Sequence, residues 1–343
     1  MREFVKKVGF PRLIIFLFLI SLIIMAQILH IPLSGIFTDI LVRFGMNAIL
    51  VLAMVPAIQS GIGLNFNLPL GVICGLVGAL ISIEFRVTGF PGFIVALLIA
   101  IPLAVVLGYL YGLMLNKIKG QEMTVGTYVG FSIVSLMCIV WLIAPFKSPE
   151  LIWAYGGNGL RVTVSLESSI GKILNDFWQF HIGNVMIPTG LLLFFALCAA
   201  ILWIFSISKK GTSMKVAGSS ESFAKSNGIN VDNERILGTV LSTVLGAIGI
   251  IVYSQSFGFL QLYTAPLYVA LPAVASILIG GASVHKAKII HVIIGTLLYQ
   301  SLLVVSLPVI NILSEGSMSE IIRIIISNGI ILYALTRTGG EEA

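Results

Sequence analysis

Residues 211–235 read GTSMKVAGSSESFAKSNGINVDNER, and apolar segments at 187–208 and 235–256 flank them. This is the longest polar run with such apolar sequence on both sides. Its backbone and charged groups would lack partners in hydrocarbon, so the run must lie outside a membrane that its flanking segments are long enough to cross. Six charged residues lie in it: Lys215, Glu221, Lys225, Asp232, Glu234 and Arg235.

The polar run carries the signals of a short helix. Ser219 or Ser220 can cap its first turn, where Glu221 favours the positive end of the helix dipole. Phe223 supplies one apolar side chain, and Asn227-Gly228 end the helix. The pattern fits a docking surface between membrane spans, and it also fits an ordinary solvated loop with a single turn.

Composition places the whole chain in a membrane. Hydrophobic residues make up 58% of the 343 residues and charged residues only 10%, whereas a soluble domain carries about 25% charged residues. We therefore expect a single transmembrane domain over residues 1–343. Cys74, Cys138 and Cys198 each lie alone in an apolar segment and suit buried small hydrophobes, because their spacing fits neither a metal site nor a disulfide framework.

Ten segments are long and apolar enough, or nearly so, to cross a membrane, which predicts an all-α integral membrane protein with about ten transmembrane helices. The first segment follows four basic residues but is longer than the apolar core of a signal peptide, so we interpret it as an uncleaved span. The segments are residues 13–29, 41–59, 64–83, 91–115, 123–144, 187–208, 235–256, 264–280, 287–311 and 318–336.

Basic residues orient these spans. With the N-terminus in the cytoplasm, 14 of the 20 Lys and Arg residues fall at the N-terminus or in short cytoplasmic loops. The positive-inside rule therefore favours cytoplasmic termini, a cytoplasmic loop at 209–234 and an external loop at 145–187.

The predicted external loop contains two patterned pieces. Residues 161–166 alternate apolar and polar side chains, and residues 168–180 combine an apolar helical face with aromatic residues that suit the headgroup level. The second piece is either an interfacial helix that closes the outer surface or a platform for an external partner. The apolar face comprises Ile170, Ile173, Leu174 and Phe177, and the aromatic residues are Trp178 and Phe180.

The sequence lacks the usual motifs of catalysis. It contains no G-x-x-x-x-G-K-[ST], so we expect no ATP bound through a P-loop, and it contains no H-E-x-x-H or G-x-S-x-G. The four histidines are scattered, and the predicted spans carry almost no ionisable residues, unlike those of ion-coupled transporters. We therefore expect a protein that is not an enzyme and that has no cofactor and no metal site.

Residues 217–231, AGSSESFAKSNGINV, resemble the main cytoplasmic loop of permease subunits of ABC importers for ribose, galactose and related simple sugars. That family's pattern is roughly A-x-G-x-N-x-x-A-x-x-x-G-I-x-V; its Asn falls at Ser220 here, and this chain has one more residue between that position and the following Ala. The matching residues are Gly218, Ala224, Gly228, Ile229 and Val231.

Two shorter stretches extend the resemblance. Residues 61–71, GIGLNFNLPLG, are similar to the family's G-I-D-L-S-x-G, with Gly63 in place of the Asp and Asn65 in place of the Ser. Residues 279–284, IGGASV, are similar to its L-G-G-x-S-L, although a basic segment follows where the family has further glycines.

The resemblance implies the membrane-spanning permease subunit of an ATP-driven importer in a bacterial cytoplasmic (inner) membrane. The implied partners are ATP-binding ABC subunits, a second permease subunit (identical or related) and an extracytoplasmic substrate-binding protein, with no nucleic acid. The implied substrate is a simple sugar. A nucleoside or another small polar metabolite is the nearest alternative, and a secondary transporter is the competing class.

In that family the loop equivalent to 209–234 carries a coupling helix that rests on the ATPase subunit. We expect Phe223 and Ala224 to face this partner. The coupling residues implied by the resemblance are Gly218, Glu221, Phe223, Ala224 and Gly228.

Neutral polar residues near span ends outline an expected pathway with few charges between spans 2–5 and 7–10. A weak sequence similarity between residues 63–70 and 258–267 would relate spans 2–5 to spans 7–10 as an inverted repeat. Such polar groups avoid lipid, so they face either the pathway or a partner helix. The candidates are Asn47, Gln59, Asn65, Asn67, Thr124, Thr127, Gln255 and Gln261.

Asn65 and Asn67 carry a second prediction because they lie beside glycines and a proline. The composition fits a broken helix with unwound backbone, which is tolerated at membrane depth only against protein or a wet cavity. It equally fits a plain turn whose end residues are exposed.

Overall fold

The computed structural model describes residues 10–153 and 159–313 and, beyond these, Ile321, Ile324, Ile325, Asn328, Gly329, Ile331 and Leu332. Within these residues the chain is mostly helical. The predicted tenth span at 318–336 falls largely outside the described residues.

The helices follow the apolar segments, because the backbone of an apolar segment must satisfy its hydrogen bonds internally in a membrane. In chain order they are α1 (Phe10–Ile28), α2 (Leu33–Leu52), α3 (Met54–Gln59), α4 (Leu68–Glu84), α5 (Gly89–Lys117), α6 (Glu122–Ile143), α7 (Ile173–Asp176), α8 (Thr189–Ile207), α9 (Lys209–Ser219), α10 (Glu221–Ser226), α11 (Val231–Phe257), α12 (Ala270–Ile279) and α13 (Ile289–Leu313).

Six helical stretches of the described chain are long and apolar enough to cross a membrane: α2 together with α3, α5, α6, α8, α11 and α13. The apolar helices α1 and α4 are shorter, as is α12 together with the 3₁₀ turn Ala265–Tyr268 that precedes it. These helices confirm a multi-pass helical membrane protein, and the number of ten spans stays a prediction.

Helix α11 forms the centre of the bundle and packs against α2, α4 and α5. Glycines allow this close packing: a Cβ atom on Gly71 of α4 would lie 2.5 Å from the Thr243 carbonyl oxygen, and one on Gly108 of α5 would lie 3.0 Å from the Thr243 hydroxyl. Helix α11 runs between the end of the molecule that carries residues 209–234 (the 209–234 side) and the end that carries residues 159–187 (the 145–187 side).

The chain is not helical between α3 and α4, at residues 60–67. Gly61 and Gly63 have φ values of +81° and +88°, which glycine adopts without strain. Asn65 and Asn67 are buried rather than exposed. The structure therefore has the predicted unwound segment held within the protein, and the alternative of an exposed turn is wrong.

Short strands make the predicted purely helical fold incomplete. On the 145–187 side, β1 (Thr163–Ser165) pairs antiparallel with β4 (Phe259–Gln261), and β2 (Phe180–Ile182) pairs with β3 (Val185–Ile187). The alternation at 161–166 was the sequence signal for β1. Its partner β4 lies far along the chain, where no comparable alternation was identified.

The predicted helical face at 168–180 is wrong in its extent, because α7 covers only Ile173–Asp176. Ile170 and Leu174 are buried, as an apolar face packed on the protein requires, whereas Phe177 of the same predicted face is exposed. The chain enters α7 through Lys172 in a left-handed conformation, with φ of 55°, which interrupts a longer helix.

Candidate functional site

The short helix expected in the polar loop is present as α10. The Ser220 hydroxyl caps it by accepting a hydrogen bond from the Phe223 N–H at 3.3 Å. The Ser219 hydroxyl instead donates to the Val216 carbonyl within α9. Gly228 follows the helix with a φ of +74°, a conformation that suits glycine after a helix end.

The two apolar side chains of α10 point in different directions. Phe223 is 58% exposed, whereas Ala224 is 0% exposed and packs in a small cluster with Ala217 and Val231. The expectation that Ala224 faces a partner is therefore wrong, since its methyl group holds α10 against its own chain. Phe223 remains the apolar group of α10 that is available to another protein.

Ion pairs tie α10 to neighbouring helices. Lys119, in the turn between α5 and α6, contacts Glu221 at 3.0 Å and Asp232 at 2.8 Å, and Lys225 contacts Glu221 at 2.8 Å. The hydrogen bonds from Lys225 and Lys119 lower the pKa of Glu221 to about 2, so this carboxylate stays charged at neutral pH. The hydrogen bond with Asp232 raises the pKa of Lys119 above its usual value.

A buried ion pair lies beside this network. Arg235, near the start of α11, donates to Glu122 at the start of α6 and to the Asn116 amide oxygen near the end of α5, the latter at 3.1 Å. The Arg235 side chain is only 7% exposed. Separation of the two side chains would leave a buried charge unpaired, which is costly. The pair and the bond to Asn116 therefore hold the ends of α5, α6 and α11 together. Asn116 also donates to the Asp232 carbonyl at 2.9 Å.

A backbone contact joins the end of α9 to the unwound segment. A Cβ atom added to Gly61 would lie 2.8 Å from the Cα atom of Gly218, and one added to Gly218 would collide with the backbone of Gln59 and Gly61. Gly218, a residue that matches the loop pattern of the sugar-importer permeases, fits this contact because it has no Cβ atom. The helices α9 and α10 therefore rest directly on the break between α3 and α4.

A cavity of about 200 Å³ lies nearer the 145–187 side, between α2, α4, α11, α12 and α13. Its walls are largely apolar and aromatic. Two of the pathway candidates, Asn47 and Gln261, line it. The lining side chains that can form hydrogen bonds are Asn47, Tyr253, Ser254, Gln261, Tyr268, Ser276 and Gln300.

An adjoining cleft of about 430 Å³ shares four of these walls, among them Asn47 and Tyr253. It also contains Asp39 and Arg43, two charged groups that the sequence analysis did not single out. With Asn47 they are spaced by four residues on the apolar helix α2, so a polar stripe at helical spacing was the available signal.

The remaining pathway candidates lie elsewhere. Thr124 lines a third cavity, of about 330 Å³, on the 209–234 side. The Thr127 hydroxyl donates to the Met123 carbonyl of its own helix at 2.9 Å. Asn67 is buried and faces α6.

The other three candidates form hydrogen bonds between segments, which was the alternative kept open for them. Gln59 donates to the Ala287 carbonyl at 2.9 Å, and Asn65 donates to the Ser242 hydroxyl at 2.8 Å. Gln255 accepts from the Leu174 N–H at 3.1 Å and so anchors α7. In this conformation these three side chains are engaged by other segments of the protein, and their pathway role stays a prediction.

Comparison with known proteins gives one family match and one structural likeness. A family model described as the permease component of the branched-chain amino acid transport system matches residues 36–334. One solved structure, a protein described as a metal-chelate type ABC transporter in an inward-facing conformation, aligns over 98% of this chain and 100% of its own, at 17% identity and a TM-score of 0.47. No curated protein matches the sequence. The chain belongs to the ABC permease family of the branched-chain amino acid transport system, which includes the ribose and galactose permeases.

Proposed function

We propose that this chain is the membrane-spanning subunit of an ATP-driven importer that takes a simple sugar from an extracytoplasmic binding protein. It has ten spans, both termini in the cytoplasm of a bacterial inner membrane, residues 209–234 inside and residues 145–187 outside. The observation that carries the proposal is α10, a capped helix with an exposed Phe223 that ion pairs join to the ends of the spanning helices.

The contacts of α10 supply a route for mechanical coupling. An ATPase subunit that closes around α10 displaces Lys119, which lies between α5 and α6, together with Asp232 at the start of α11. The Arg235–Glu122 pair moves the same three helix ends together. The Gly218–Gly61 contact passes the displacement to the break before α4. A transporter that opens alternately to the two sides of the membrane requires two arrangements of these packed helix ends.

The cavity supports a small neutral substrate. Aromatic rings of Tyr253, Phe259 and Tyr268 and the amides of Asn47 and Gln300 surround a volume of about 200 Å³. Apolar walls with a few polar groups are typical of small-molecule sites, and neutral amides suit a polyol. The three rings also favour a nucleoside as the second candidate, because a base can stack on an aromatic face.

The proposal is tested by uptake into proteoliposomes that contain the chain with its ATPase subunits and binding protein. We expect uptake of D-ribose or D-galactose only with ATP present on the side that holds residues 209–234. Uptake of a nucleoside alone would support the second candidate. Uptake driven by an ion gradient without ATP would show a secondary transporter and overturn the proposal.

Orientation gives a separate prediction. Ser168 and Ser226 are both exposed, on the 145–187 side and the 209–234 side respectively. In intact cells, a membrane-impermeant thiol reagent is expected to label Ser168→Cys and not Ser226→Cys, in a background without the three native cysteines. Labelling of Ser226→Cys alone would reverse the proposed topology.

The cavity gives another prediction. Asn47→Ala removes an amide that lines both the cavity and the cleft, and its only described hydrogen bond is to the Arg43 carbonyl of its own helix. We expect uptake to fall about tenfold at the same protein level, the loss of a hydrogen bond worth roughly 1.4 kcal/mol. Thr127→Ala is the control, since Thr127 also bonds its own helix but lines neither the cavity nor the cleft, and equal loss in both variants would contradict the assignment of the cavity.

A further inference from the structure

The side-chain amide of Asn67 is buried but forms no hydrogen bond within the described part of the chain that would stabilise the fold. It is 1% exposed, and among the described residues neither its Oδ1 nor its Nδ2 has a hydrogen-bond partner. It precedes α4, yet its side chain does not cap that helix. The Tyr111 hydroxyl comes close to the amide, but not with the geometry of a hydrogen bond. An unsatisfied buried amide destabilises the folded state, so its presence needs a reason.

Helix α6 covers this amide with two glycines. A Cβ atom on Gly130 would lie 3.4 Å from Asn67 Oδ1, and one on Gly126 would lie 2.8 Å from the Tyr111 hydroxyl. Apart from these glycines, only Val134 and Trp141 are buried in α6. The seam between Asn67 and the two glycines, which we call the Asn67 seam, is therefore narrow and has no α6 side chain at these two positions, while Val129 and Ile133 of α6 pack beside it around Tyr111.

The start of α6 is attached to the coupling network. Glu122, its first residue, pairs with the buried Arg235, and Lys119 lies three residues earlier in the same turn. A displacement of α10 therefore reaches α6 directly. Because α6 buries only four of its residues, the body of the helix can tilt at the Asn67 seam while the Arg235–Glu122 pair holds its first residue to α11.

We propose that Asn67 is a second substrate-binding group, which α6 covers in this conformation and uncovers when α10 is displaced. This inference rests on the proposed transport function. The Asn67 amide would then donate a hydrogen bond to, and accept one from, a hydroxyl or amide group of a neutral, polyol-like substrate that is moving to the 209–234 side. The substrate would supply the hydrogen bonds that the Asn67 amide lacks while the Asn67 seam is closed.

A pair of variants two residues apart tests the claim on the chain alone. Asn67→Leu keeps the shape but removes the unsatisfied amide, so the unfolding midpoint in detergent is expected to rise by roughly 2 °C. Asn65→Leu is the matched control, and its midpoint is expected to fall because Asn65 donates to Ser242 and accepts from the Asn67 N–H. A fall for Asn67→Leu would show that Tyr111 or a water satisfies the amide, and it would overturn the proposal.

Accessibility during transport completes the test. In a cysteine-free background, Asn67→Cys is expected to react with a hydrophilic methanethiosulfonate at least tenfold faster when the complex with its ATPase subunits turns over ATP than at rest. Ala100→Cys, which is fully buried on α5, is expected to stay unreactive in both states. An Asn67→Cys variant that stays unreactive during turnover would overturn the proposal.

The outcome for transport itself is separable. With D-ribose as the probe, uptake by Asn67→Leu is expected to be at least tenfold lower than wild-type uptake at the same protein level. Wild-type uptake by Asn67→Leu would contradict a binding role. If the wild-type chain does not transport D-ribose, the proposed sugar is wrong, and the stability pair and the thiol reaction still decide the role of Asn67.

Discussion

Gly218→Ala is expected to reduce ATP-driven uptake by at least tenfold. The new methyl group would collide with the backbone of Gln59 and Gly61, and backbone cannot move aside as a flexible side chain can. Overpacking of this kind destabilises by about 1–3 kcal/mol, and here it acts where α9 and α10 meet the break before α4. Uptake and ATP hydrolysis measured on the same reconstituted complex would show the loss of transport.

The neighbouring residue supplies the control for this prediction. Ser219→Ala removes a hydroxyl whose only hydrogen bond among the described residues is to the Val216 carbonyl within α9, so its uptake should be close to wild type. A Gly218→Ala variant that transports like the wild type would mean that the contact between residues 218 and 61 transmits nothing.

Lys119→Glu should separate ATP hydrolysis from transport. The reversal replaces the cation that joins Glu221 and Asp232 by a third carboxylate, so two attractions become two repulsions at contact distance. A single exposed ion pair contributes little, at most about 1 kcal/mol, but this cation joins two segments that are required to move together. We expect uptake to fall at least tenfold while the ATPase subunits remain bound and active.

The matched variant is Lys209→Glu. It makes the same charge change on α9, where Lys209 is exposed and forms no ion pair with the described residues. Its uptake should change less than twofold. If both variants lose transport equally, the effect comes from net charge on this side of the protein, and the specific role of Lys119 is refuted.

Local signals were sufficient for much of the fold. A long apolar run favours a membrane helix, and each of the first nine predicted apolar segments overlaps a helix of the structure, six of them long enough to cross a membrane. A serine, a glutamate and a terminal glycine at the right spacing predicted α10 within one residue at either end. These elements depend on neighbours in the chain, which a sequence shows directly.

The roles of residues whose partners lie far along the chain could not be predicted from local sequence signals. A polar residue in a span satisfies its hydrogen bonds with a pathway or with another helix, and only the packing decides between them. Gln255 bonds residues 80 or more positions away, and Gln59 bonds Ala287. Ala224 likewise matched a family pattern, but its burial comes from Ala217 and Val231 on either side of α10.

The central claim is that α10 is the surface on which an ATP-hydrolysing subunit rests, and a photocrosslinker placed at Phe223 tests it most directly. With p-benzoylphenylalanine there, irradiation of cells that express the complex is expected to join the chain to the ATPase subunit. The same probe at Phe259, exposed on the 145–187 side, is expected to give no such product. A chain that co-purifies with the ATPase subunit but never crosslinks to it from residue 223 would contradict the account.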